Sequence, residues 1–446
     1  MSPRATLSGG GPTADPYVPG HGDLRYGVDS YDLALTYKAL SNHLSGHAVL
    51  AVTVRASTAE LVLDLHHLKV VKLALSGAPL AHWRHRAGRV VLTLARPVDA
   101  GTHLTVTVTY QGVPRTVRGP DGEAGWEELE DGVIVASQPH GAPSWFPCND
   151  RPSDKAVYRL RVTAPTAYTV VGNGALLQRI AAASKVTWVF AETEPMAPYL
   201  ATLQIGVYAR RQLGESTAGV PVLVAHPPRL TRAVDTAFAR QVEMVDLFTR
   251  LFGPYPFPTY TVVVTDDRLE IPLESQALST FGSNFARTDW QSQRLIAHEL
   301  SHQWFGNSVT TTEWRDIWLH EGFACYAEWL WSPQSGGPTT HQRALAHWRL
   351  IAGQPQDLIL GEPGPRDLFD DRVYKRGALL LHALRLLLGD EVFFALLQSW
   401  LAEHRYGSVT SAQFVAAAQA VTERDLSDFF KRWLYQPGLP ALPPSG

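Results

Sequence analysis

From about Tyr31 to Val207, apolar and polar residues alternate with a period of two. Y-D-L-A-L-T-Y at 31–37, V-V-L-T-L at 90–94 and L-T-V-T-V-T-Y at 104–110 put every second side chain on one face, the pattern of half-buried strands. Further strands are expected at 156–163, 168–172 and 185–190. Ser76-Gly77, Ala100-Gly101, Asp121-Gly122 and Gly172-Asn173-Gly174 punctuate them as turns. The pattern predicts one all-β domain over residues 23–213.

Near Gly214 the period changes. Residues 230–252 space apolar groups three and four apart, as an amphipathic helix does, until Phe252-Gly253-Pro254-Tyr255-Pro256 breaks it. A strand is expected at 260–265. A helix capped by Thr288 or Asp289 ends at Gly306, and a second, L-H-E-G-F-A-C-Y-A-E-W-L-W, stops at Ser332-Pro333. A strongly apolar helix at 371–390 and helices at 391–404, 411–421 and 426–435 complete a mostly helical domain over 214–446. The fold class is therefore α+β. Residues 1–22 are rich in glycine and proline and read as a flexible arm.

At 446 residues the chain can build two or three domains, each with its own core. The net charge of −3 and the absence of a basic run argue against nucleic acid and against an anionic membrane surface as partner. The most apolar run, Ala378 to Leu388, contains His382 and Arg385 and is too short to span a bilayer. The first twenty residues lack the apolar core of a signal peptide. Cys148 and Cys325 are far apart in sequence, which fits a reducing compartment, and the expectation is a cytoplasmic protein. His66, His67, His82 and His85 have no ligand spacing and no partner carboxylates in sequence.

The chemistry is concentrated in L-I-A-H-E-L-S-H-Q-W-F-G-N-S-V-T-T-T-E-W-R-D-I-W-L-H-E at 295–321. His298 and His302 are four apart, one helical turn on the same face, so two neutral imidazoles can reach one zinc ion. Glu299 between them is placed to act as a general base. A third protein ligand leaves a fourth position open for water. Glu321 fits, with eighteen residues between it and His302 in which one helix ends and another begins. A bare H-E-x-x-H arises by chance in long chains, and Glu321 at this spacing makes chance a poor explanation. The expectation is one Zn2+ per chain.

These residues resemble the gluzincin family of zinc aminopeptidases that includes aminopeptidase N and leukotriene hydrolase, whose signature is H-E-x-x-H, eighteen residues, then glutamate. W-F-G-N-S-V-T at 304–310 and W-L-H-E-G-F-A at 318–324 look like the flanking patterns, with His320 where asparagine is usual. The resemblance runs from about Tyr31 to the end. It implies a thermolysin-like metallopeptidase domain after a β domain, and an aminopeptidase acting on peptides with a free N-terminus. It also places Gln138, within S-Q-P-H-G-A-P, where a Gln or Glu reaches into the cleft.

Glu274 falls at the glutamate of the family's G-x-M-E-N motif, which binds the substrate α-amine. The motif departs at Ile271, Pro272, Leu273 and Ser275, and Pro272 has no N–H to offer a substrate backbone. Tyr374 resembles the tyrosine whose phenol stabilises the oxyanion. Asp316 reads equally as a partner of a ligand histidine or as a helix cap. Larger relatives continue into a further helical domain, so the expectation for this chain is a more open cleft without carboxylate-binding residues from that domain. Two other functions fit the same motif. One is a zinc hydrolase of another bond, an epoxide or an internal peptide bond. The other is an inactive peptide-binding relative.

Overall fold

The strand Tyr26–Lys38 is the axis of the N-terminal half, paired in parallel with Ala156–Pro165 and antiparallel with His43–Val54. Along His43–Val54 the side chains of Leu44, Ala48, Leu50, Val52 and Val54 are buried while the intervening positions stay partly exposed, the period read from sequence. In the computed structural model, which describes residues 15–444, this strand belongs to a seven-stranded sheet. From edge to edge its strands are Ala175–Ala182, Lys185–Met196, Ala156–Pro165, Tyr26–Lys38, His43–Val54, His103–Gly112 and Lys69–Ser76. A three-stranded sheet (Thr58–Asp64, Arg89–Val98, Leu80–Arg86) and a five-stranded one (Thr169–Gly172, Leu203–Gly206, Gly132–Ala136, Gly122–Leu129, Val117–Gly119) accompany it.

A second five-stranded sheet joins the halves, in the order Ala209–Glu215, Pro221–His226, Tyr260–Val264, Leu278–Phe281, Leu273–Ser275. Its first strand runs straight through the expected junction at 213/214. Its last strand is an edge, and this edge carries Glu274. The helices follow: α1 (Thr231–Ala237), α2 (Gln241–Phe252), α3 (Trp290–Ser301), α4 (Trp318–Gln334), α5 (Thr340–Ala352), α6 (Asp371–Leu388), α7 (Asp390–Glu403), α8 (Ser411–Ala420) and α9 (Ser427–Tyr435). The protein is thus α+β, a strand-rich half followed by a helical one. No helix among the described residues is long and apolar enough to cross a membrane. Cys148 and Cys325 are both buried and unpaired.

Three expectations change. The helix foreseen over 230–252 is two helices, because the Ala237 carbonyl accepts from Gln293 Nε2 at 2.8 Å and the chain turns at Phe238. The arm foreseen over 1–22 is packed from Asp15 onward; residues 1–14 lie outside the described residues. Asp15 accepts from the Trp314 backbone N–H at 2.7 Å, Tyr17 Oη accepts from the Gly364 N–H at 3.1 Å, and His21 Nδ1 is 2.7 Å from Asp150 Oδ2. Polar composition suggested freedom, but each of these side chains has a partner far along the chain. Finally, α5 has no counterpart in the sequence reading, although Thr339 and Gln342 form a complete capping box at its start.

Helices α4 and α6 cross where Gly322 meets Gly377. A Cβ on Gly377 would lie 2.7 Å from the Gly322 Cα, and one on Gly322 would lie 2.9 Å from the Gly377 Cα. Glu321 precedes one of these glycines, and Tyr374 stands about one turn before the other.

Candidate metal centre and substrate cleft

Asp289 caps α3, its carboxylate accepting from the Ser292 N–H at 3.1 Å. The helix ends sooner than expected, at Ser301, and His302 is its C-cap. The chain leaves through a turn in which Gly306, at φ +119°, packs close to the His302 and His320 rings. His298 and His302 still face the same way, with ring centroids 4.8 Å apart. Helix α4 returns and points Glu321 at both. Glu321 Oε2 lies 3.3 Å from His298 Nε2 and 3.5 Å from His302 Nε2. All three residues are buried, and their ligand atoms lie within 4.8 Å of one another.

The outer nitrogens are already committed. His298 Nδ1 donates to Glu328 Oε1 at 2.9 Å and His302 Nδ1 donates to the Phe305 carbonyl at 3.0 Å. Those bonds fix each tautomer so that both Nε2 lone pairs turn inward, the arrangement a tetrahedral zinc site uses. A second triplet, Glu274, Glu299 and His302, also clusters within 4.8 Å. It suits a cation less well, because Glu274 Oε1 already accepts from Gln138 Nε2 at 2.6 Å. The residues that fit zinc are His298, His302 and Glu321.

Electrostatics support that division. Taking the side chains by themselves, burial works against protonated His298, yet hydrogen bonds to Glu321 and Glu328 push it up to about 10. For His302 burial is likewise outweighed, by Glu274 and Glu321, and it rises to about 9. Burial would raise Glu321, but His302 and the hydrogen bonds from both imidazoles hold it far below the usual carboxylate range. The site is built for positive charge at its centre. Burial raises Glu299 to about 8, against the pull of His298, and its Oε2 has no partner among the described residues. A buried carboxylate with a free oxygen beside the ligands is placed to exchange a proton with a water molecule.

Tyr374, on the first turn of α6, stacks over His298 with centroids 5.9 Å apart and planes 18° from parallel. Burial and then Glu321, Glu274 and Glu299 raise its phenol far above the usual value, so it remains a neutral donor. Gln138, from the loop after Gly132–Ala136, and Glu274, from the edge strand, meet beside His302 and Glu299. Gln138, Glu274, His298, Glu299, His302, Glu321 and Tyr374 all line one cavity of about 660 Å3.

Sequence reasoning missed several supports. Glu328 holds His298, and its signal was its position seven after Glu321, two turns along the same helix face. Gln303 clamps the edge strand to the metal helix, its Oε1 accepting from the Ala277 N–H at 2.8 Å and its Nε2 donating to the Ser275 carbonyl at 3.1 Å. Asn307 Nδ2 donates to the same carbonyl at 2.9 Å. Half-buried Lys155 donates from the β half to the carbonyls of Asn307 and Ser308 at 3.0 and 2.8 Å. Asp316 does not touch a ligand histidine; it accepts from Ser411 Oγ. His320, held neutral by burial with its pKa lowered to about 3, accepts from the Thr311 N–H at 2.8 Å and pins the connection between α3 and α4.

Comparison with known proteins gives one answer. Residues 236–433 match the peptidase family M1 domain and residues 28–200 the peptidase M1 N-terminal domain. The chain is 26% identical over 415 residues to endoplasmic reticulum aminopeptidase 1 of Homo sapiens, which covers 84% of this chain and 43% of that protein. It is 27% identical over 326 residues to aminopeptidase N of Lactococcus lactis subsp. lactis, covering 68% of this chain and 38% of that one. The chain therefore spans less than half the length of these two relatives. Among solved structures, a mutant M1 zinc metallopeptidase from Deinococcus radiodurans bound to the substrate Tyr-Ser-Ala superposes with a TM-score of 0.89 at 29% identity, over 97% of this chain and 100% of that one. A two-domain M1 zinc metallopeptidase bound to L-arginine gives 0.89 at 30% identity, over 97% and 100%.

Proposed function

We propose that this chain, which belongs to peptidase family M1, is a zinc-dependent aminopeptidase that removes the N-terminal residue from peptides. The observation that carries the reading is the meeting of Glu274 with Glu299 and His302, ligand atoms within 4.8 Å, inside the cleft that holds the metal ligands. A buried carboxylate so close to the ligands suits an ammonium group one residue from the cut. An internal peptide bond brings no ammonium and leaves that carboxylate with the neutral Gln138 amide but no cation.

His298 Nε2, His302 Nε2 and Glu321 Oε2 would hold the zinc ion, which when bound supplies the Lewis acidity that makes water a nucleophile near neutral pH. Glu299 takes the proton of the attacking water and delivers it to the leaving amine. Tyr374 donates its phenolic hydrogen to the developing oxyanion, a contact typically worth about 3 kcal/mol. Glu274 and the free amide oxygen of Gln138 hold the substrate ammonium, while Gln303 and Asn307 fix the edge strand against α3. The binding partners are peptides with a free N-terminus. The two buried, unpaired cysteines support a reducing, cytoplasmic setting. We set the junction between the two domains just before Ala209, where the sheet that carries Glu274 begins.

The test is turnover of alanine p-nitroanilide against its N-acetylated form by protein of measured zinc content. Hydrolysis of the free amine alone supports the reading. Equal hydrolysis of both rejects the exopeptidase assignment, and no hydrolysis by zinc-loaded protein rejects the activity.

A further inference from the structure

The cleft continues beyond the metal ligands, and its far end has the opposite charge. Back along α3 from its C-cap, His302, His298 and Arg294 follow each other at four-residue steps on one face, each step about 6 Å along the axis. Glu274 sits against His302, so Arg294 lies two turns away from the amine anchor, past the metal ligands. Arg294 NH1 is 3.2 and 3.1 Å from the two carboxylate oxygens of Glu328. Glu328 also accepts from His298, so it is fully engaged.

Arg343, from α5, lines the same cavity. Its guanidinium lies 4.0 Å over the Trp290 ring and its Nε donates to Ser332 Oγ at 2.9 Å. Among the described residues no carboxylate lies within ion-pair distance of it, whereas Arg294 has Glu328 and Lys375 has Asp371. Arg294 is thus neutralised by Glu328, while Arg343 has no carboxylate of its own. Burial, only partly offset by Glu328 and aided by Arg294, works against the charge of Arg343. A half-buried guanidinium packed over an indole, its terminal nitrogens free of any carboxylate among the described residues, offers a planar fork for one.

We infer that Arg343, with Arg294 beside it, binds a carboxylate on the second residue of the substrate, the residue left behind by the cut. The inference rests on the aminopeptidase reading and names its preferred substrates. With the ammonium on Glu274 and the scissile bond at the metal ligands, the second residue advances about 3.5 Å toward Arg294. A carboxylate there is the α-carboxylate of a dipeptide or the acidic side chain of a longer peptide. Both present the same two oxygens to the arginine fork.

The experiment compares kcat/KM of the zinc-loaded full chain on two pairs. Ala-Ala against Ala-Ala-NH2 reads the terminal carboxylate, and Ala-Glu-NH2 against Ala-Gln-NH2 reads the side chain. We expect a preference of about tenfold for the carboxylate in at least one pair, the scale of one charge-assisted contact, and the pair that shows it identifies the source. Arg343→Gln should remove the preference, and Arg343→Lys, which keeps the charge but not the fork, should retain only part of it. Equal rates within both pairs, or a preference that survives both substitutions, overturns the inference. Alanine p-nitroanilide has no such carboxylate and separates the two readings. Its turnover without a carboxylate preference sinks this inference alone, whereas failure to turn over any of these substrates sinks the aminopeptidase reading with it.

Discussion

Gln138 Nε2 donates to Glu274 Oε1 at 2.6 Å, joining a loop of the β half to the edge strand of the second sheet across 136 residues of sequence. The bond orients Glu274 and leaves the Gln138 amide oxygen as a second acceptor for an ammonium group. Glu274→Ala is therefore expected to raise KM for free-amine substrates by roughly ten- to a hundredfold, the cost of leaving a buried cation unpaired. Gln138→Ala should do the same more weakly. Steady-state kinetics on alanine p-nitroanilide check this, and an unchanged KM in Glu274→Ala removes it as the amine anchor.

Beside the ligands, Glu299 has a buried oxygen with no partner among the described residues. Glu299→Gln keeps the shape and removes the base, so kcat should fall by at least about a hundredfold while zinc content stays stoichiometric. Metal analysis alongside kinetics separates this from loss of the ion. Substantial turnover by the variant excludes the proton-transfer role.

Tyr374 stacks on a ligand histidine and keeps its proton. Tyr374→Phe should lower kcat by about a hundredfold with KM little changed, because an oxyanion donor acts only in the transition state. A variant whose KM rises while kcat holds would make Tyr374 a binding residue instead.

Glu328 holds His298 by its outer nitrogen. Glu328→Gln retains a hydrogen-bonding group but weakens the hold on the imidazole, and zinc affinity should drop by about ten- to a hundredfold. Competition with a chromogenic chelator measures it. Affinity equal to that of the unaltered protein would make Glu328 only a partner of Arg294.

In metal-depleted protein the native state keeps protons that the unfolded chain releases at lower pH. His298 and His302 are raised to about 10 and 9, and Glu299 to about 8. Each is raised above its unfolded value, so its contribution is present at low pH and lost as pH rises through the folded value. Stability of the chelator-treated protein should thus fall between pH 7 and 10, by roughly a few kcal/mol. Zinc replaces the imidazole protons, so the zinc-loaded protein should fall much less. Melting temperatures of both forms across that window test the difference, and parallel curves would contradict it.

The metal centre was legible because one helical period and one chain reversal determine it. His298 and His302 share a face wherever that helix sits, and the turn after Ser301 gives Glu321 only a short path back. The strands were legible from alternation, as in His43–Val54. What escaped was set by contacts between distant segments. Gln293 splits the helix at Ala237 from 56 residues away, and Trp314 orders the segment at Asp15 from 299 residues away. The capping box at Thr339 was readable, yet α5 lacks a strong apolar stripe: only Ala344 and Ile351 are buried on it. That helix brings Arg343 into the cleft, so the charge at the far end was visible only in three dimensions.

The contact between Gly322 and Gly377 works as a spacer of zero thickness. Two bare backbones touch there, with no rotamer between them that could adjust. The gap between the Glu321 carboxylate and the Tyr374 phenol is therefore set by atomic radii rather than by side-chain packing. The smallest added group at either position would force the two helices apart and widen that gap.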